Sequence, residues 1–294
     1  MPPKRHDDEF EFDETLVRRL LRAQFPQWAD LSLTLVEPSG TDHTIYRLGD
    51  ALAVRMPIRP KVTGQVLREA TSLPFLAPQV PFELPTPVAL GEPGEDYPWH
   101  WSIVSWIEGE RATSENMQLP DAAVDLARFV KALHACDPTG GHEPGEATAL
   151  RGMPITIWRG RIEPWIEKLD GFYDAADAVA VLNEALDAPA WDQPPVWLHG
   201  DLTGNLICRD GRLVGAIDSG YAVGDPACDL MPGWILFRGA ARRAFFDEVG
   251  LDDATILRAR GWTIAPALIG LSYYRNVPHL FANAVASIDG ALAD

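Results

Sequence analysis

Between Leu198 and Gly220 the chain reads LHGDLTGNLICRDGRLVGAIDSG, a run that leaves few ways to fold. Two short apolar stretches, Leu206 to Cys208 and Leu213 to Ile217, flank Asp210-Gly211, a dipeptide that favours a tight hairpin turn. A buried strand is a poor place for a carboxylate, because a charge without a partner there is costly. Yet the run holds Asp201, Asn205 and Asp218, the last ending an apolar stretch. A cation nearby would offset that cost. Asp218 also precedes Ser219-Gly220, so a turn-capping role is available to it, but polar residues gathered at strand ends point to a site.

The rest of the chain divides by hydrophobic period. Asp13 followed by Leu16, Val17, Leu20 and Leu21 predicts a capped amphipathic helix ending near Phe25-Pro26. Strand-like segments follow at Leu31 to Val36, Thr44 to Leu48 and Ala51 to Met56, the last two joined by a tight turn at Gly49-Asp50. Val62 to Leu76 reads as a helix with a kink or break at Pro74. Two more strands, Val88 to Gly91 and Trp101 to Ile107, close a small antiparallel sheet that carries one helix. Beyond Glu108-Gly109 the period becomes helical, over Ala122 to His134 and over Ile155 to Tyr173. Strand Val196 to His199 and the hairpin interrupt the helices. Asp225-Pro226 then starts another helix, with Asp as cap and Pro in the first turn.

The 294 residues, 47% of them hydrophobic, suffice for two lobes with buried cores. A net charge of −17 repels nucleic acid and anionic membrane and favours cationic partners. Cys136, Cys208 and Cys228 are odd in number and lack CxxC spacing, which suits a reducing cytoplasm and speaks against disulfides or structural zinc. The start, MPPKRHDDEFEFDE, has no apolar leader core, and no apolar run reaches the ~18 residues of a membrane span. The expectation is a soluble cytoplasmic protein.

A strand-rich front joined to a helical back with a polar hairpin is the layout of an α+β, protein-kinase-like bilobal fold. The residues themselves carry a resemblance. WLHGDL, then Asn205, AID and GDPACDL in order and close together, with the GTDHTIYRLGD hairpin at the front, resemble the aminoglycoside phosphotransferase family of small-molecule kinases. The resemblance implies a nucleotide-binding lobe over 1–108 and a catalytic, substrate-binding lobe over 109–294. It also implies ATP and Mg²⁺ as cofactors.

Phosphoryl transfer asks for phosphates held by a metal and an acceptor hydroxyl held in line. Asp201 would accept or orient the hydroxyl proton; Asn205 and Asp218 offer the hard oxygens that suit Mg²⁺. His199 orders the loop, and Asp225 and Asp229 read as structural. The kinase template sets the metal-binding Asn five residues after the catalytic Asp, whereas Asn205 follows Asp201 by four and Leu206 stands in the fifth place. Either Asn205 serves from a tighter loop or a metal ligand is missing. Gly204, free to take positive φ, allows the tighter loop, and Asn205 is expected to face Asp218 across a metal site.

In the front half Arg55 ends the third strand, where the template carries a phosphate-binding Lys. Arg is not an equivalent cation; Lys61, past Pro60, is its rival, and Glu69 would be the ion-pair partner. The loop Ser39 to Thr44 would cover the phosphates, and Ser105, Trp106 and Ile107 would meet the adenine. Acidic residues outnumber basic ones over 110–190, which favours a cationic aminoglycoside-type acceptor. Trp158, Trp165, Tyr173, Trp234, Tyr273 and Tyr274 leave a macrolide or metabolite alcohol open, although at helical spacing they read as core. A catalytically silent nucleotide-binding homologue is also open. A metallohydrolase is disfavoured, since HxH and HExxH clusters are absent.

Overall fold

The computed structural model describes residues 9–37, 42–113 and 115–293. They form two compact units, the first holding residues up to Pro78 and Glu83–Glu108, the second Gln79–Phe82 and residues from Gly109 on. Phe82 joins the second unit because its ring stacks on Phe129, with centroids 4.6 Å apart.

The first unit opens with helix α1 (Glu14–Gln24), whose start is fixed by Asp13 accepting a hydrogen bond from the Leu16 N–H at 3.2 Å. Strands β1 (Leu33–Leu35), β2 (His43–Leu48), β3 (Leu52–Pro57), β4 (Pro87–Gly91) and β5 (Trp101–Ser105) form an antiparallel sheet in the order β1-β2-β3-β5-β4. Leu16, Val17, Leu20 and Leu21 of α1 bury against Leu48, Val54, Met56 and Ile103 of the sheet. Strand residues alternate between faces, so Ala53 and Arg55 lie on the face away from that core. Helix α2 (Thr63–Leu76) supplies Glu69 to that opposite face. Pro74 does not end α2, which runs on to Leu76.

The second unit holds two small antiparallel sheets. Strand β6 (Glu110–Arg111) lies beside β8 (Leu206–Arg209), which pairs with β9 (Arg212–Ala216); β7 (Val196–Leu198) pairs with β10 (Ala222–Gly224). The β8–β9 turn has Asp210 at φ 53° and Gly211 at φ 79°, the paired left-handed geometry that matches strand twist. Around these strands lie α3 (Asp121–His134), α4 (Glu163–Glu167), α5 (Ala176–Asp187), α6 (Met231–Ile235), α7 (Gly239–Val249), α8 (Asp253–Tyr273) and α9 (Pro278–Leu292). The helix expected over Ile155 to Tyr173 does not form as one element. A 3-10 turn at Ile155–Trp158 and the short α4 take its place, with left-handed Gly160 (φ 73°) and Gly171 (φ 66°) breaking the chain. The helix foreseen at Asp225-Pro226 begins as a 3-10 turn, Pro226–Leu230, and continues into α6. Among the described residues no helix is long and apolar enough to cross a membrane.

Candidate active site

The loop after β7 is held from beneath. Asp229, fully buried, accepts the His199 N–H at 2.9 Å and the Gly200 N–H at 2.6 Å, and His134 Nε2 lies 3.3 Å from the same carboxylate. Two amides and a ring thus share one charge, a strong arrangement because hydrogen bonds to an ionised acceptor exceed neutral ones. The His199 carbonyl accepts from the Ser219 hydroxyl at 2.8 Å and the Gly220 N–H at 3.3 Å, which ties the loop to the segment after β9. The fully buried His199 ring accepts the Asp201 N–H at Nδ1 (3.2 Å), so its proton sits on Nε2. Burial pushes its pKa down, against the pull of the Asp229, Asp201 and Asp218 charges, and the ring stays neutral. It packs edge-to-face with the Phe129 and Tyr221 rings. His199 is a spacer that sets the loop, as its sequence context implied.

This bracing presents Asp201 at the surface, its side chain 36% exposed, with an Arg151 guanidinium nitrogen 3.1 Å from Oδ1. Asn205 is buried and donates its Nδ2 to the Asp201 carbonyl at 2.9 Å, so the shortened spacing is closed by the amide itself. That bond turns the amide oxygen Oδ1 into the group left for a cation. The Asn205 carbonyl accepts from the Ile217 N–H at 2.9 Å, which brings the loop beside the end of β9 and Asp218. Left-handed backbone occurs at Gly200 (φ 84°) and Asp218 (φ 57°) and not at Gly204, contrary to the expectation. Gly204 is instead pinned through its carbonyl by Arg111 Nε at 2.7 Å. A non-glycine residue held at positive φ carries strain, and such strain gathers at sites. Among the described residues no group of three or more His, Cys, Asp or Glu side chains could hold a metal. One carboxylate and one amide oxygen fit a hard cation that takes its other ligands from phosphates and water, as Mg²⁺ does.

Asp225 and Asp229 divide the work at the 3-10 turn. Asp225 caps it by accepting the Ala227 N–H at 3.0 Å, and it forms a buried pair with Arg258 at 2.9 Å. Arg258 also donates to the Pro189 carbonyl at 2.6 Å and the Thr255 hydroxyl at 2.9 Å.

In the first unit, Arg55 and Glu69 form a buried ion pair, and Gln65 Nε2 donates to Glu69 Oε1 at 2.9 Å. The rival cation Lys61 is exposed and lies 3.6 Å from Asp42. Ser105 and Trp106 are taken up by the sheet. Their N–H groups donate to the Thr86 carbonyl (2.9 Å) and the Ala51 carbonyl (2.8 Å), and the Ser105 hydroxyl accepts the Thr86 N–H at 3.0 Å. The Arg47 guanidinium covers one face of the Trp106 ring, 4.9 Å from its centroid. Among the described residues the Ile107 N–H has no hydrogen-bond partner. Of the loop Ser39 to Thr44, residues 39–41 lie outside the described residues.

The profile of the phosphotransferase enzyme family matches residues 33–265, a span that takes in the β2–β3 hairpin, the Arg55–Glu69 pair and the whole Asp201–Asp229 constellation. The chain belongs to the phosphotransferase enzyme family. Its fold is that of the kinase-like phosphotransferases. Aminoglycoside 2'-phosphotransferase-IIIa in complex with GDP superimposes with a TM-score of 0.67 at 16% identity, covering 96% of this chain and 99% of that one. The GDP and kanamycin complex of an aminoglycoside 2''-phosphotransferase gives 0.68 at 18% identity, covering 94% and 97%. Macrolide 2'-phosphotransferase MphH from Brachybacterium faecium gives 0.61 at 20%, covering 95% and 98%. No curated protein matches the chain in sequence. As a family member the chain is a kinase-type enzyme. Two contributors carry no local sequence signal, the Arg151 contact and the anchoring of the His199–Gly200 amides by Asp229. The DPACDL spacing was visible, but its long-range partners were not.

Proposed function

We propose that this enzyme transfers the γ-phosphate of ATP to a hydroxyl of a small molecule, with an aminoglycoside-type antibiotic as the leading acceptor class. The observation that carries the reading is an exposed Asp201 on a loop immobilised from below by Asp229, with Asn205 Oδ1 and the strained Asp218 beside it. Asp201 Oδ2 takes the proton of the acceptor hydroxyl, the hydroxyl oxygen bonds to the γ-phosphorus, and the bond from phosphorus to the bridging oxygen breaks to release ADP. Asn205 and Asp218 would hold Mg²⁺, which when bound neutralises phosphate charge.

In the first unit, which would bind the nucleotide, Arg55, positioned by Glu69, would meet the phosphates, and the Ile107 N–H would meet the adenine edge. Ser105 and Trp106 would shape the adenine site through side chain and carbonyl, since their amides are engaged in the sheet. The acidic bias of 110–190 supports a cationic amino-sugar. Three free, buried cysteines support a reducing, cytoplasmic setting.

The test is acceptor-dependent ADP release with Mg²⁺ and either ATP or GTP, over aminoglycosides, macrolides and metabolite alcohols. Turnover of at least one hydroxylated compound with ATP is expected. Magnesium-dependent nucleotide binding with no phosphorylation anywhere in the panel would replace the reading with that of a silent homologue.

A further inference from the structure

Arg151 stands in a turn built to deliver it. The chain folds back between Gly145 and Gly152, where the Leu150 N–H donates to the Gly145 carbonyl at 2.8 Å and the Arg151 N–H to the Thr148 carbonyl at 3.1 Å. The buried Thr148 hydroxyl accepts the Gly145 N–H at 3.0 Å and lies 3.3 Å from the Arg151 carbonyl as donor. Ala149 (φ 51°) and Leu150 (φ 65°) are consecutive left-handed residues, neither of them glycine. Such a pair persists only where the surroundings over-determine it. The turn's exit is fixed as well, because the Gly152 carbonyl accepts the Asp225 N–H at 2.9 Å. A Cβ added at Gly200 would sit 3.3 Å from Arg151 Cβ and 3.2 Å from its Cδ. The residue before Asp201 is therefore bare where the arginine stem lies over it, and the guanidinium reaches Asp201 Oδ1 at 3.1 Å.

Resting on the phosphotransferase reading, we propose that Arg151 is a positioning and specificity-determining residue. Its guanidinium engages Asp201 Oδ1, leaves Oδ2 for the acceptor hydroxyl, and selects acceptors with no ammonium group next to the hydroxyl that reacts. A cation fixed 3.1 Å from the other oxygen of the same carboxylate repels a second cation beside the reacting hydroxyl. An amino-sugar acceptor then carries its amines away from the phosphorylated position, where the acidic surface of 110–190 can meet them. The alternative fate of such a contact, displacement by an incoming ammonium, disagrees with a stem pinned by a strained turn at one end and packed on Gly200 along its length.

The experiment uses the full-length chain, Arg151→Gln and Arg151→Lys, with a matched pair of acceptors that differ only in an amino or a hydroxyl group beside the reacting hydroxyl. Thermal melting and MgATP affinity are measured first and should match the parent; Arg151→Lys keeps the stem and the charge if Arg151→Gln fails to fold. Arg151→Gln should lose roughly 100-fold in kcat, as misplacement of a reacting group does. Its preference for the hydroxyl acceptor should fall by roughly tenfold, the scale of a partly exposed charge interaction. Arg151→Lys should restore the preference and only part of kcat, because its ammonium lacks the guanidinium fork. An Arg151→Gln enzyme with parental kcat and an unshifted preference overturns the proposal while leaving phosphoryl transfer standing. A parent chain that phosphorylates no acceptor overturns the phosphotransferase reading, and this proposal with it.

Discussion

The loop at Asp201 and the helix start at Asp225–Asp229 present the same side chain within one short motif, and they use it in opposite ways. Asp229 has no exposed surface and is surrounded by donors; Asp225 is buried between a guanidinium and an amide. Asp201 stands more than a third exposed, with one oxygen engaged and the other open. A carboxylate buried and fully hydrogen-bonded is stable as it stands and has no reason to react. A carboxylate held at the surface by backbone that others brace keeps an oxygen open to an incoming group. Saturation, not residue type or motif membership, distinguishes Asp225 and Asp229 from Asp201.

If the contrast is right, stability should fall steeply at one end of the motif and barely at the other. The largest loss is expected for Arg258→Ala, which strands the Asp225 charge in the interior. Denaturant unfolding should show a loss of about 3–5 kcal/mol. Asp229→Ala comes next, since it leaves two buried amides without their acceptor; about 2–3 kcal/mol is expected from the same measurement, with lower kcat because the Asp201 loop loses its support.

His199 gives a smaller effect that depends on pH. Burial holds its pKa below the ordinary histidine value of about 6.5 in the folded chain, so the unfolded chain binds a proton that the folded one refuses. Stability contributed by the neutral ring is complete above about pH 6.5 and is lost as pH falls below it, with a slope of at most about 1.4 kcal/mol per pH unit. Unfolding curves at pH 7.5 and 5.5 should therefore converge for His199→Gln relative to the parent, and an unchanged gap would remove His199 from the account. Asp201→Ala should be smallest, within about 0.5 kcal/mol of the parent. A large destabilisation there would erase the distinction between the two regions.

Much of this organisation was legible along the chain. The α1 cap at Asp13, the order of the five-stranded sheet's elements and the Asp210-Gly211 turn all rest on local signals, namely a capping side chain, alternating burial and a turn dipeptide. The segment from Ile155 to Tyr173 misled because its aromatic residues recur at helical spacing while Gly160 and Gly171 take left-handed backbone that no helix admits. Helix α8 gives no clear apolar stripe because it is buried nearly all round, from Thr255 and Arg258 to Trp262 and Ile264. In the site, Asp201, Asn205 and Asp218 stood out as polar residues in an apolar run. The partners that brace this loop did not. Arg151 and Asp229 reach the loop from fifty residues before it and nearly thirty after, and only tertiary packing brings them there. The tightening at the Asp201–Asn205 spacing was foreseen, but its means was not. The Asn205 amide closes the loop on the Asp201 carbonyl, and Gly200 and Asp218, not Gly204, supply the left-handed backbone.

If Asp201 handles the proton of a phosphoryl acceptor, its loop should fold without its side chain. The decisive experiment is acceptor-dependent ADP release by Asp201→Ala, measured beside its MgATP affinity and melting temperature. Folding and nucleotide binding should be parental and turnover reduced by about 10⁴-fold. An Asp201→Ala enzyme that still phosphorylates its acceptor at the parental rate would remove Asp201 from the proton transfer.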